Sequence, residues 1–227
     1  MSPFTAAPYA RTFGWPGYPI GRPPCAVPLE TWDMGTTALG RMAGDREEVQ
    51  VPASGGRWSM AWHRPGEAPP GQAHGANAFC VTSGGEVVLI SRDGSRWGWP
   101  GGRPEPGESW EDTLRREMLE EACAIVTGAR LLGFVRSRCL GGPEEGLVLV
   151  RSIWRAEVTL LPWRPEFEIG FRRVVPAREL AAHLWMEEGA APIYSRAARE
   201  ALLALWPVSL PPRGAGRCRN SPGGTAR

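Results

Sequence analysis

The clearest patterned stretch of the chain begins near residue 76. Ala78–Thr82 and Glu86–Arg92 are apolar, β-branched runs separated by Ser83-Gly84-Gly85, which predicts two strands joined as a hairpin. A Gly-rich turn over Trp97–Gly107 leads into a helical pattern from Ser109 to Ala124. Strands are expected at Arg130–Arg136, Leu147–Val158 and Phe171–Val175. Helical spacing returns at Ala177–Leu184 and Ile193–Leu205. Upstream, Arg57–His63 alternates Trp58, Met60 and Trp62 with smaller or polar residues and reads as one further strand. A short helix is expected around Gly35–Met42, a polar patch at Asp45–Glu48, and a breaker-rich linker from Arg64 to Gly75. Strands and helices mixed in this order predict an α/β fold, a sheet covered by helices.

Composition refines that outline. The chain has 227 residues, with 29 Gly and 23 Pro concentrated toward the two ends. The expected organisation is an N-terminal extension over 1–75, partly disordered and with one added strand. A single domain follows over 76–206, then a Pro/Gly/Arg-rich disordered tail over 207–227. No run approaches the roughly 18 apolar residues of a membrane helix, and the N-terminus has no basic-then-apolar leader. The expectation is a cytoplasmic protein with no membrane partner. A net charge of +2 is too small for a field-driven nucleic-acid binder. All basic residues are Arg, which excludes chemistry that needs a lysine. Cys25, Cys80, Cys123, Cys139 and Cys218 form no C-x-x-C pair and read as free thiols, and His63, His74 and His183 lack metal-ligand spacing.

The chemistry concentrates in GGRPEPGESWEDTLRREMLEEACA, from Gly101. Ser109 and Asp112 have the spacing of a capping box, and Glu111 and Asp112 suit the positive end of a helix dipole. At about 100° per residue, Leu114, Met118, Ala122 and Ile125 share an apolar face that should be buried. Glu117, Glu120 and Glu121 gather on an adjacent face, with Arg116 beside Glu120. Like charges three and four apart repel, and a hard divalent cation relieves that repulsion.

A solvated acidic helix face would account for a lone Glu pair. The wider spacing says more: Gly102, Glu108, Arg116, Glu117, Met118, Glu120 and Glu121 match G-x5-E-x7-R-E-U-x-E-E-x-G-U, where U is a bulky aliphatic residue. In this the segment resembles the Nudix box, and Trp97–Gly101 is similar to the W-x-x-P-G lead-in common in that family. Cys123 stands where glycine is usual and Ala124 where a larger aliphatic is usual. The resemblance covers roughly Ala76 to Leu205. It implies an α/β/α sandwich with a mixed sheet and a hydrolase that cleaves a pyrophosphate bond in a nucleoside diphosphate derivative with Mg²⁺, or Mn²⁺ in its place. It also implies metal ligation by Glu117, Glu120, Glu121 and the carbonyls of Gly101 or Gly102. By the same carry-over Glu117 ligates or activates water, Arg116 orients a glutamate and Glu108 braces the loop.

The family often adds an acid from a later loop. Here Glu166 and Glu168 are the first candidates, with Glu168 preferred, and Glu144 and Glu145 the second. Of the aromatics that could stack a nucleobase (Trp97, Trp99, Trp110, Trp154), Trp97 is retained, and of the arginines that could meet phosphate (Arg92, Arg96, Arg103, Arg136), Arg103. Downstream, the CLGG at Cys139–Gly142 carries no mark of a particular substrate subgroup. Two alternatives stay open: a non-catalytic nucleotide-binding sensor, and an RNA 5′-pyrophosphohydrolase, which the low net charge supports poorly. A homodimer is also left open.

Overall fold

The computed structural model describes residues 42–53, 56–185 and 189–203. Its strands are β1 (Glu48–Ala53), β2 (Gly56–His63), β3 (Gln72–Thr82), β4 (Glu86–Ser91), β5 (Gly101–Gly102), β6 (Ala124–Gly141), β7 (Val148–Leu160) and β8 (Phe171–Pro176). Its helices are α1 (Trp110–Ala122), α2 (Leu180–His183), entered through a 3-10 turn at Ala177–Glu179, and α3 (Ala191–Leu203). The strands form one sheet in the order β1-β2-β6-β7-β3-β4-β8, with β5 paired to β3. The β3–β7 pairing is parallel and the others are antiparallel, so the sheet is mixed. No helix among the described residues is long and apolar enough to cross a membrane. The expected helix around Gly35–Met42 lies outside the described residues except for Met42, and the tail, Cys25 and Cys218 lie wholly outside them; Cys80, Cys123 and Cys139 are free and buried.

Strand alternation sends side chains to two apolar layers. From β3 and β4, Ala76, Ala78, Cys80, Val88 and Ile90 face α1, where Leu114, Met118 and Ala122 complete the layer. Phe79, Val87 and Leu89 face the other way, toward Ile193, Ala197 and Ala201 of α3. Helices on both faces make the α/β/α sandwich. The residues beneath α1 are small (Ala76, Ala78, Ala124, Ala156), so the helix lies close to the sheet and its glutamates reach the Gly101–Gly102 strand.

The hairpin forms as its sequence predicts: Cys80 pairs with Val88, and the Gly85 amide donates to Thr82 O at 2.9 Å. Other elements differ from expectation. β6 extends well beyond Arg130–Arg136 because register shifts between Val126 and Gly128 and between Leu131 and Gly133 interrupt its alternation. The stretch read as a linker ends early, since β3 already pairs with β7 from Gln72. The polar patch ends in β1, which pairs with β2, and β2 in turn pairs with β6. Ile125 is not buried: α1 stops at Ala122, strand alternation takes over, and Ile125 points outward with 49% of its surface exposed.

Candidate functional site

The site is built along α1, whose C-terminal half carries the glutamates, and at the short Gly101–Gly102 strand beside it. Ser109 caps the helix: its hydroxyl accepts from the Asp112 amide at 3.1 Å while the Asp112 carboxylate accepts from the Ser109 amide at 3.1 Å. The helix is thus fixed in phase, and Arg116, Glu117, Glu120 and Glu121 are presented toward the loop before it.

Arg116 organises that loop. Its Nε and Nη2 donate to the two oxygens of Glu108 at 2.8 and 3.0 Å, a two-pronged pairing of the kind guanidinium and carboxylate geometries favour. Nη2 also donates to Arg103 O at 2.9 Å, and Nη1 to Glu117 at 2.8 Å and Glu120 at 3.0 Å. Glu108 further accepts from the Thr113 hydroxyl and the Glu105 amide, both at 2.9 Å. With Arg116 as the main cause, the Glu108 carboxyl is held down at about 2. The same carboxylates hold Arg116 more firmly protonated, Glu108 foremost.

The two inner glutamates are in the opposite condition. Glu117 is 8% exposed, and its burial raises its pKa against the pull of Arg116. Burial pushes Glu121 up to about 7; the negative charges of Glu117 and Glu168 add to the rise, and the Gly101 amide, donating to Glu121 Oε2 at 2.7 Å, opposes it. Burial thus disfavours the charged form of both carboxylates, and the Arg116 guanidinium beside Glu117 offsets this only in part. Glycine makes this closeness available. A Cβ on Gly102 would collide with the Glu117 carboxylate, lying 2.5 Å from Oε2 and nearer still to Oε1 and Cδ. Gly101 has φ +151°, and a Cβ there would run into the backbone of Ala76 and Asn77.

Among the described residues, no three acidic, histidine or cysteine side chains already converge as a closed metal cage. Mg²⁺ does not require one, because it binds through one or two carboxylates, keeps waters and takes phosphate oxygens from its substrate. The donors here are hard oxygens, two of them on carboxylates whose charged form burial disfavours, which fits such an ion.

Glu168 lies on the loop before β8, and Arg92 pairs with it at 2.9 Å; both act electrostatically on Glu121. Two cavities flank this group. The smaller, about 250 Å³, is lined by Glu121, Gly101, Arg92, Arg96, Trp97 and Trp185 among others. The larger, about 840 Å³, takes in Arg103, His74, Arg151, Trp58 and Glu144. Gly98, Trp99 and Trp185 line both.

The remaining residues singled out in the sequence divide between the cavity walls and the packed layers. Trp97 belongs to the core: it is 8% exposed, its indole N–H donates to Gly94 O at 3.2 Å, and the Arg173 guanidinium lies 4.1 Å from its ring centroid. Trp99 is held between Phe79 and Tyr194, and Trp110 and Trp154 pack against the layer under α1. Arg136 donates to Pro70 O at 3.3 Å, on another part of the sheet. Glu145 belongs to the turn between β6 and β7, where its amide donates to Gly142 O at 3.2 Å. Trp185 was not singled out in the sequence, where it sits between Leu184 and Met186 in a short apolar run.

Comparison with known proteins agrees with this geometry. None of the curated proteins compared matches the chain. Among solved structures, the pyrophosphohydrolase BsRppH of Bacillus subtilis aligns with a TM-score of 0.53 at 18% identity, covering 70% of this chain and 98% of its own. The MutT Nudix hydrolase of Burkholderia pseudomallei aligns with a TM-score of 0.40 at 22% identity, covering 55% of this chain and 96% of its own. At such identities the first likeness bears on the fold alone. The NUDIX domain family model matches residues 71–197, more than half of the chain, and with a capped helix setting Glu117 against Gly102 and Glu121 against Gly101, the chain belongs to the Nudix family.

Proposed function

We propose that the protein is a Mg²⁺-dependent pyrophosphohydrolase acting on a nucleoside diphosphate derivative. The observation that carries this reading is the pair of carboxylates, Glu117 against Gly102 and Glu121 against Gly101, whose charged forms burial disfavours. Glu117, Glu120 and Glu121 would supply the carboxylate oxygens for the metal, with a carbonyl of Gly101 or Gly102 as a further donor, and Mn²⁺ would take the same place. When bound, the ion neutralises phosphate charge and acidifies the attacking water.

The chain's own residues do the rest. Arg116, fixed by Glu108, keeps Glu117 and Glu120 aimed at the site. Glu168, or Glu117 from within the box, accepts the proton of the attacking water. The new bond joins water oxygen to phosphorus, and the bond from that phosphorus to the bridging oxygen breaks. The bridging oxygen leaves on the other phosphate as part of an anion. Arg92 and Arg103 stand where phosphate oxygens would emerge on either side, Arg92 in the smaller cavity and Arg103 in the larger.

Hydrolysis is assayed with Mg²⁺ or Mn²⁺ across nucleoside triphosphates, ADP-ribose, NADH, dinucleoside polyphosphates, nucleotide sugars and 5′-triphosphate RNA. The full chain is run beside Glu120→Gln. Metal-dependent turnover in the wild type that collapses in the variant is the expected result. Turnover retained by Glu120→Gln overturns the metal assignment. No turnover, with a nucleotide still raising thermal stability, overturns the enzyme in favour of a sensor.

A further inference from the structure

Trp185 is unlike the other tryptophans around the site. Half of its surface is exposed, and it lines both cavities. Among the described residues, the other exposed large hydrophobics (Leu119, Ile125, Phe167 and Phe171) line neither cavity. Burying an aromatic ring is favourable, so an exposed one at the rim of a cleft leaves apolar area for a ligand to cover.

The ring is also anchored. The Trp185 amide donates to Trp97 O at 2.8 Å, and Leu184 makes a parallel bridge with Trp97. The Arg96 guanidinium lies 5.5 Å from the Trp185 ring centroid, and the Arg96 amide is tied to Asp93 at 3.0 Å. A cation against one part of an aromatic ring makes a platform for a ligand that is flat and apolar in one part and anionic in another. The nearby rings offer less surface: Trp97 is buried, and Trp99 is held between Phe79 and Tyr194. Glu121 lies in the smaller cavity that Trp185 borders, so a phosphate chain directed at Glu121 leaves its base at the shared rim.

We propose that Trp185 stacks the nucleobase of the substrate at the rim between the two cavities, with Arg96 beside it, while the pyrophosphate extends toward Glu121. This rests on the pyrophosphohydrolase reading and assigns one residue within it: Trp185 is where the substrate's aromatic base is recognised. Stacking tolerates any base, so the selection is for base-bearing over base-free phosphates.

The test compares wild-type full chain with Trp185→Ala, Trp185→Leu and Trp185→Phe. Each is titrated by calorimetry with ADP, GDP and inorganic pyrophosphate, with Ca²⁺ replacing Mg²⁺ to hold back turnover. Losing a stacked base weakens binding by about 5- to 150-fold. The expected result is a rise of that size in the ADP and GDP dissociation constants for the Ala and Leu variants. Pyrophosphate should be unchanged, and Trp185→Phe close to wild type. In turnover the same variants should raise KM with kcat nearly constant. The Leu variant keeps an apolar side chain should the Ala variant fail to fold. Unchanged nucleotide affinity, or an equal loss for pyrophosphate, overturns the stacking role while leaving the hydrolase reading in place. A wild type that neither hydrolyses nor binds any nucleotide overturns both.

Discussion

Gly102→Ala isolates the contact on which the site depends. Gly102 does not have a left-handed backbone, so alanine is allowed there and any cost must come from what the methyl group meets. It meets the Glu117 carboxylate, with Oε2 at 2.5 Å and the other carboxylate atoms nearer. Ordinary contact begins about 1 Å farther out, so the carboxylate must swing away, and misplacement on that scale costs on the order of 100-fold in turnover. The displaced group also leaves Arg116, whose Nη1 now donates to it at 2.8 Å, and stays in a site where it is 8% exposed. Disrupting such a buried, charge-assisted bond destabilises by about 1–3 kcal/mol.

The decisive assay is a double-mutant cycle. Urea unfolding is measured for wild type, Gly102→Ala, Glu117→Ala and the double variant. Once the carboxylate is gone the methyl group has room, so Gly102→Ala should be nearly harmless in the Glu117→Ala background. The expected coupling is above about 1 kcal/mol. If the two substitutions add to within about 0.5 kcal/mol, Gly102 does not serve to seat Glu117, and the reasoning fails. Wild-type kcat in Gly102→Ala would refute it equally.

Arg116→Lys keeps the charge but cannot reproduce the paired bonds to Glu108 or the bond to Arg103 O; it should lower the urea midpoint and kcat together, each recovered only by arginine. Leu114→Ala empties a fully buried position under α1 and should cost about 2–5 kcal/mol in urea unfolding. His74 is held near 4 by burial and by Arg151 and Arg103, below its ordinary value of 6.5. Below about pH 6.5 the unfolded chain takes up a proton that the folded chain refuses until about pH 4, so stability is lost as pH falls through that window. A urea midpoint that falls less steeply with acidification in His74→Gln than in wild type is the expected signature, and parallel slopes would contradict it.

What could be read from sequence was local. The capping box, the helix phase of Glu117, Glu120 and Glu121, and the Ser83–Gly85 turn each depend on residues within a few positions of one another, and each is found. β6 was foreseen only in part because its bulges break the period-two signal that identifies a strand. β1 escaped for a different reason. It is an edge strand that carries Pro52, a residue the ladder tolerates only there, and proline demotes a strand pattern on paper. Trp185 could not be found by pattern at all, since its place comes from the bridge between Leu184 and Trp97, nearly ninety positions apart.

Cys123 shows most directly how local reading and tertiary structure divide the work. Its departure from the usual glycine put the end of α1 in doubt, yet the residue takes the left-handed conformation glycine would take, with φ 46° and ψ 53°. For a residue with a Cβ that conformation costs about 1–2 kcal/mol. The surroundings hold it there: the Cys123 amide donates back to Leu119 O at 3.1 Å, its carbonyl accepts from the Leu161 amide at 2.8 Å, and Arg172 donates to Ala122 O at 2.8 Å. The thiol is buried and lies 3.4 Å from Arg164 O. These bonds join the end of α1 to β8 and to the loop after β7, so the turn is set by segments that have no part in its local sequence. The helix therefore ends where the box requires, and Glu120 and Glu121 keep their place, although the residue that usually ends it is absent.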